Sequence, residues 1–263
     1  MESLLTLPLA GEARVRILQI TDTHLFAQKH EALLGVNTWE SYQAVLEAIR
    51  PHQHEFDLIV ATGDLAQDQS SAAYQHFAEG IASFRAPCVW LPGNHDFQPA
   101  MYSALQDAGI SPAKRVFIGE QWQILLLDSQ VFGVPHGELS EFQLEWLERK
   151  LADAPERHTL LLLHQHSLRN AGELDTVLAK FPHVKYLLCG HIHQELDLDW
   201  NGRRLLATPS TCVQFKPHCS NFTLDTIAPG WRTLELHADG TLTTEVHRLA
   251  DTRFQPDTAS EGY

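Results

Sequence analysis

Val15-Arg-Ile-Leu-Gln-Ile-Thr-Asp-Thr-His24 begins as an apolar strand and ends in an aspartate and a histidine two residues apart. Four further apolar runs end in the same way. Residues 58–62 lead into Gly63-Asp64, 88–92 into Gly93-Asn-His-Asp96, 160–163 into His164, and 184–189 into Gly190-His-Ile-His193. Buried strands do not normally end, time after time, in Asp, Asn and His. Five such ends meeting at one edge of a sheet would gather two carboxylates, one amide and several imidazoles. That is the ligand set of a two-metal hydrolase.

Working outward from these ends, helical patterns alternate with the strands. Residues 38–50 read as a helix capped by Thr38 and stopped by Pro51. Residues 70–84 form another, with Ser70 or Ser71 as cap, and 98–108 a third, ended by Gly109. Residues 140–152 carry a Ser140/Gln143 capping box, with Phe142, Leu144, Trp146, Leu147 and Leu151 as core bulk. A last helix lies near 172–180, and a further strand spans 122–128. From about residue 194 the texture changes to short, turn-bounded strands at 195–200, 203–208, 221–226, 230–237 and 241–248. Asn201-Gly202 and Asp239-Gly240 mark hairpin turns. The reading is therefore an α/β chain with two mixed sheets packed face to face and flanked by helices. One domain spans 1–249, and 250–263 form a polar, loosely ordered tail. Ligands of such sheets gather at the carboxyl ends of strands, where all five clusters lie.

The chain has 263 residues and a formal net charge of −14. No basic face is visible, which argues against nucleic acid as a partner. Cys88 and Cys189 read as buried thiols, and no pairing of Cys212 with Cys219 is expected. The N-terminus lacks the pattern of a signal peptide, and no apolar stretch approaches a membrane span. A soluble cytoplasmic protein is expected.

The chemistry follows from the residue types. Gly63 permits close backbone approach to Asp64, and one Asp can bridge two metals. His191 and His193 flank Ile192, so an extended backbone puts both on one side. Two divalent ions, offset by two aspartates and a bridging hydroxide, leave about one positive charge, enough to hold a phosphodiester on an acidic protein. His95 need not be a ligand. It is placed to protonate a leaving oxygen, with Asp96 as its candidate orienting partner. The stretch Thr208-Pro-Ser-Thr-Cys212 is read as either a pocket wall near the base or a plain turn.

The series D-x-H, G-D, G-N-H-D, H, G-H-x-H resembles the calcineurin-like metallophosphoesterase superfamily over residues 15 to about 215. That resemblance implies a four-layer α/β/β/α sandwich. It assigns one metal to Asp22, His24, Asp64 and His193 and the second to Asp64, Asn94, His164 and His191. It makes His95 catalytic and gives substrate contacts to His24, Asp64, Asn94, His95, His164 and His193. Gln19-Ile-Thr-Asp-Thr-His24, Ala61-Thr-Gly-Asp-Leu65, Leu91-Pro-Gly-Asn-His-Asp96, Leu188-Cys-Gly-His-Ile-His193 and Thr208-Pro-Ser-Thr-Cys-Val-Gln214 are similar to the bacterial class III cyclic nucleotide phosphodiesterases. The resemblance implies hydrolysis of 3′,5′-cyclic AMP to 5′-AMP by a hydroxide held between two divalent ions, Fe²⁺ or Mn²⁺.

One departure stands out. In that family a longer loop, beginning His-His-Pro, follows the strand that ends at His164. Here Gln165-His-Ser-Leu-Arg169 follows at once, about a dozen residues short. The connection is either shortened or lacks a loop omitted from the sequence, and the closely matching flanks favour the second. His164 is thereby the least secure ligand, with His166 a weak substitute. Two other functions compete. One is a broader phosphodiesterase acting on glycerophosphodiesters or 2′,3′-cyclic nucleotides. The other is a non-catalytic scaffold with a degenerate metal site, which the seven intact ligands oppose.

Overall fold

The computed structural model describes residues 3–8, 14–260 and 262. Expectations about Met1, Glu2, Glu261 and Tyr263 lie outside these residues. In chain order the elements are β1 (Leu4–Leu7), β2 (Arg14–Ile20), β3 (Ala32–Leu33), β4 (Val36–Asn37), α1 (Thr38–Ile49), β5 (Leu58–Ala61), α2 (Ser71–Ile81), β6 (Cys88–Trp90) and α3 (Gln98–Asp107). They continue as β7 (Arg115–Ile118), β8 (Trp122–Leu126), α4 (Glu141–Ala152), β9 (His158–Leu162), α5 (Ala171–Ala179) and β10 (Val184–Cys189). The last third holds β11 (Leu196–Trp200), β12 (Arg203–Ala207), β13 (Gln214–Phe215), β14 (Leu224–Asp225), β15 (Gly230–His237) and β16 (Leu242–Arg248).

Two sheets dominate. One runs β16-β15-β2-β5-β6 and the other β1-β7-β8-β9-β10-β12-β11. Both are mixed. β2, β5 and β6 are mutually parallel, as are β8, β9, β10 and β12, while β15, β16 and β11 run antiparallel to their neighbours, and β7 is antiparallel to β8 but parallel to β1. Three apolar clusters set the layers. Leu18, Ile59 and Trp90 pack on Leu46, Phe77 and Leu105 of α1–α3. Ile17, Val60 and Val89 face Ile124, Leu160 and Leu188 between the sheets. Leu125, Leu161 and Leu187 pack on Leu147 and Leu178 of α4 and α5. This α/β/β/α order explains why Leu-Ile-Val-Ala in β5 is apolar throughout, since both its faces are covered.

Several local readings change. The α1 cap is Asn37, whose side chain accepts from Glu40 N at 2.9 Å, not Thr38. Ser70 caps α2 and Ser140 caps α4. Gln143 does not complete a capping box, because its Oε1 accepts from Asp128 N at 3.1 Å. Phe142 is 64% exposed rather than core, since the apolar face of α4 turns on Trp146, Leu147 and Leu151. β1 and β7 carried no clear strand signal, being only four residues each, yet they pair in parallel from Leu4↔Arg115 to Leu7↔Ile118. The strand expected at 221–226 contracts to two residues. The tail is tied down in part: Phe254 is buried against α1–α3, and Asp257 N donates to Leu34 O. All four cysteines are free, with Cys88, Cys189 and Cys212 buried and Cys219 exposed. Among the described residues no helix is long and apolar enough to cross a membrane.

Candidate metal centre and active site

The carboxyl ends of β2, β5 and β6 in one sheet meet those of β9 and β10 in the other, bringing the five clusters together. The backbone there is unusual. Among the described residues nine non-glycine positions have positive φ, and five of them are Asp22, His24, Asp64, His191 and His193. Each such position costs energy that only a surrounding structure can hold in place, and such strain gathers at functional sites. Close packing assists it. A Cβ on Gly93 would lie 2.2 Å from Asp64 Oδ1, and one on Gly190 would lie 2.2 Å from Thr21 Oγ1. These glycines let the loops approach the aspartates directly.

Three groups of ligand atoms converge, each within 4.8 Å: Asp22 with His24 and His193, Asp64 with His164 and His191, and His24 with Asp64 and His95. Asn94 stands beside them, with its Oδ1 3.5 Å from Gln165 Nε2. His95 N donates to Asp64 Oδ1 at 2.8 Å, and its ring lies edge-on to His24 at 5.1 Å. His166 belongs to none of these groups, whereas His164 lies 3.0 Å from Asp64 through its Nε2.

The outer contacts fix the imidazoles. His24 Nδ1 is 2.7 Å from Gln67 Oε1, His193 Nδ1 is 2.9 Å from Val213 O, and His164 Nδ1 is 2.7 Å from Thr62 O. All three partners are acceptors, so each Nδ1 carries the proton and, in a neutral ring, each Nε2 presents a lone pair. The inner geometry then fits a cation. His24 Nε2 and His193 Nε2 face each other at 3.1 Å, and buried His164 Nε2 lies 3.0 Å from Asp64 Oδ2. Lone pairs so opposed are unfavourable unless they share a positive ion.

The electrostatics agree. Burial works against charge on both aspartates, but His193 and His164 bring Asp22 below the usual carboxylate range. His164, His24 and His95 hold Asp64 well below it. Burial pushes His24 down to about 3 and His191 down to about 4. His164 goes the other way: burial opposes its charge, yet Asp64 and Asp22 raise it to about 9. The carboxylates are therefore ionised and two imidazoles neutral, as metal ligation needs.

Two expectations are corrected by the contacts. Asp96 does not orient His95. Its Oδ1 accepts from Leu65 N and Ala66 N and its Oδ2 from Gly93 N, so it ties the loops together. Burial and the charge of Asp64 raise it to about 7. Residues 208–212 are more than a plain turn. Ser210 Oγ donates to Asp22 O at 2.6 Å and accepts from Cys212 N, supporting the Asp22 loop from behind. Gln67 was missed as well. It follows Asp64 by three residues, and no spacing rule marks a lone glutamine as the partner of a histidine.

The chain matches the family described as calcineurin-like phosphoesterase over residues 15–195, more than half its length. It belongs to that family. Calcineurin-like phosphoesterases bind two divalent metals, and the groups above are candidate ligands for them. The chain is 96% identical over 275 positions to the 3′,5′-cyclic adenosine monophosphate phosphodiesterase CpdA of Escherichia coli strain K12, covering 100% of both. It is 51% identical to the Haemophilus influenzae protein of the same description, over 95% of each chain. Among solved structures, a dimetal phosphatase from Danio rerio superimposes with a TM-score of 0.60 at 14% identity, covering 89% of this chain and 99% of that one. This last likeness concerns the fold alone.

The alignment with the Escherichia coli relative is twelve positions longer than the 263 residues here. Twelve positions in 275 are about 4% of the alignment. In this calcineurin-like phosphoesterase the chain passes from His164 straight into Gln165. There Ser129 Oγ bonds Gln165 Oε1 at 2.5 Å, and Leu168 bridges to Gly137.

Proposed function

We propose that this chain hydrolyses 3′,5′-cyclic AMP to 5′-AMP, using two divalent ions, Fe²⁺ or Mn²⁺. One ion would take Asp22, His24, Asp64 and His193, and the other Asp64, Asn94, His164 and His191. The observation that carries the reading is the set of three imidazoles whose Nδ1 atoms face fixed acceptors while their Nε2 atoms converge on Asp22 and Asp64. When bound, the ions would lower the pKa of a shared water and clamp phosphoryl oxygens.

The protein's own part is positioning and proton transfer. Asp22, Asp64 and the histidines hold the reaction centre. Water gives up a proton to solvent as its oxygen bonds to phosphorus, the bond from phosphorus to the ribose 3′-oxygen breaks, and protonated His95 delivers its proton to that oxygen. His95 suits this role because its backbone is tied to Asp64 while its ring is only half-buried. The residues that touch substrate in this reading are His24, Asp64, Asn94, His95, His164 and His193. Cyclic nucleotide is the partner, nucleic acid is not, and the cytoplasm is the location.

Purified protein with Mn²⁺ or Fe²⁺ should convert cyclic AMP to 5′-AMP. His95→Ala should lower kcat by about 10²–10⁴ with both ions retained. Unchanged turnover in that variant removes His95 from the mechanism. Preference for glycerophosphodiesters or 2′,3′-cyclic nucleotides in the same assay would favour the broader phosphodiesterase.

A further inference from the structure

The turn carrying Asn94 and His95 hangs from β6, in the five-stranded sheet. Its two shoulders are the carbonyls of Gly93 and Asp96, and both accept from one nitrogen, Gln130 Nε2, at 2.7 and 2.5 Å. Gln130 follows β8, in the other sheet. Its amide orientation is fixed by chemistry. Nε2 has two hydrogens and meets two carbonyl oxygens, while Oε1 accepts from Gln98 Nε2 at 2.7 Å. Gln98 Nε2 also donates to Asp128 Oδ2 at 2.8 Å, and Asp128 Oδ1 accepts from Gln130 N at 3.0 Å. Both polar ends of the Gln130 amide and both oxygens of Asp128 are thus used.

The same turn is held from its other side. Asp96 Oδ2 accepts from Gly93 N, and Asp64 Oδ1 accepts from His95 N. These inner contacts fix the turn to the ligand aspartate. The outer contact, from Gln130, fixes its curvature, because one NH₂ group bridges carbonyls three residues apart. Asn94 and His95 lie between those carbonyls, so the direction of the His95 ring depends on this bridge.

We infer that Gln130 is a positioning residue for His95, linking the second sheet to the catalytic turn of the first. The inference rests on the cyclic nucleotide reading for its kinetic test. A displacement near 1 Å in a proton donor costs on the order of 10²-fold in rate, so small errors in the turn have large effects. Binding of the phosphate does not need the imidazole proton, so KM should hardly move.

The test uses Gln130→Met, which keeps the volume without a donor, and Gln130→Glu, near-isosteric but facing the two carbonyls with oxygen alone. Both should lower kcat for cyclic AMP at least about tenfold, with KM within about threefold and two ions still bound. In a His95→Ala background the same changes should add little, because the residue acts through His95. The His95 ring signals, identified by their loss in His95→Ala, should move in the NMR spectrum of substrate-free Gln130→Met. Equal losses of kcat in both backgrounds, lost metal, or unmoved ring signals would overturn the proposal. Wild-type protein that leaves cyclic AMP intact would overturn the functional reading instead, and the ring signals would still decide the role of Gln130.

Discussion

The two halves of the donor set are built differently. Asp22, His24 and His193 are fully buried, and each imidazole is set by an acceptor outside the site, Gln67 Oε1 or Val213 O. Phe215 stacks on His193 at 4.2 Å, and Ser210 holds the Asp22 carbonyl. On the other half, Asp64 and His164 are buried but His191 and Asn94 are only half-buried. His191 is fixed through its backbone, whose N–H donates to both oxygens of Asp22, and Asn94 Oδ1 meets Gln165 at the outer limit of a hydrogen bond. One half is preorganised by its surroundings throughout. In the other, His164 is set in the same way by Thr62 O, but His191 and Asn94 depend on two loops, and Asn94 leans on Gln165 just after His164. The difference teaches that two ions in one pocket need not be held equally well.

Asp64 is the joint between the halves, and removing it should have the largest effect. Asp64→Ala should lose both ions and lower kcat by at least about 10³-fold, since the metals supply most of the transition-state charge stabilisation. Metal analysis beside a kinetic assay checks this. A variant that keeps one tightly bound ion would break the comparison by showing the halves to be independent. Next in size is Gln67→Ala. Loss of an outer partner of a ligating histidine typically costs 10- to 100-fold in metal affinity. The loss should fall on the ion held by His24 and spare the other, as read by titrating apoprotein with Mn²⁺.

The fold and most of the site were legible because both rest on local pattern. Val15 to His24 shows its strand and its polar end in ten residues, and Gly63, Gly93 and Gly190 mark the close approaches. What was illegible is what depends on distant partners. β1 is a strand only because β7 offers an edge, and a run of four residues cannot announce that alone. Gln67, Ser210 and Gln130 act through single hydrogen bonds to loops far away in sequence. Such bonds have no periodicity. Asp96 misled for the opposite reason: adjacency to His95 suggested a pair, but consecutive side chains in a turn diverge, and its carboxylate meets three backbone N–H groups instead.

Acidity should separate the halves more gently. His164 is raised to about 9 by Asp64 and Asp22, so below that pH its imidazole is protonated and must lose the proton to ligate. Affinity for the ion that takes His164 should therefore fall about tenfold for each pH unit below about 9 and level off above. The ion on His24, whose burial lowers it to about 3, should show no such slope from that residue. Calorimetric Mn²⁺ titrations at several pH values in buffers of different ionisation heat measure both affinity and the released proton. Equal slopes for the two ions would erase the distinction.

The smallest effect should come from the connection itself. The alignment with the Escherichia coli relative runs twelve positions beyond the 263 residues of this chain, so the two proteins measured side by side, with the twelve positions mapped first, test what a longer connection adds. Here Gln165 stands next to Asn94 at 3.5 Å and leans on Ser129. A fuller loop can replace that weak contact with one good hydrogen bond to the Asn94 side, worth about 0.5–1.5 kcal/mol. The expected outcome is a second ion bound about two- to tenfold more tightly in the relative, the first ion unchanged, and kcat/KM following the second ion. If instead the first ion differs, the connection reaches the preorganised half through the shared Asp64. The pocket would then be one cooperative unit whose two halves cannot be tuned apart.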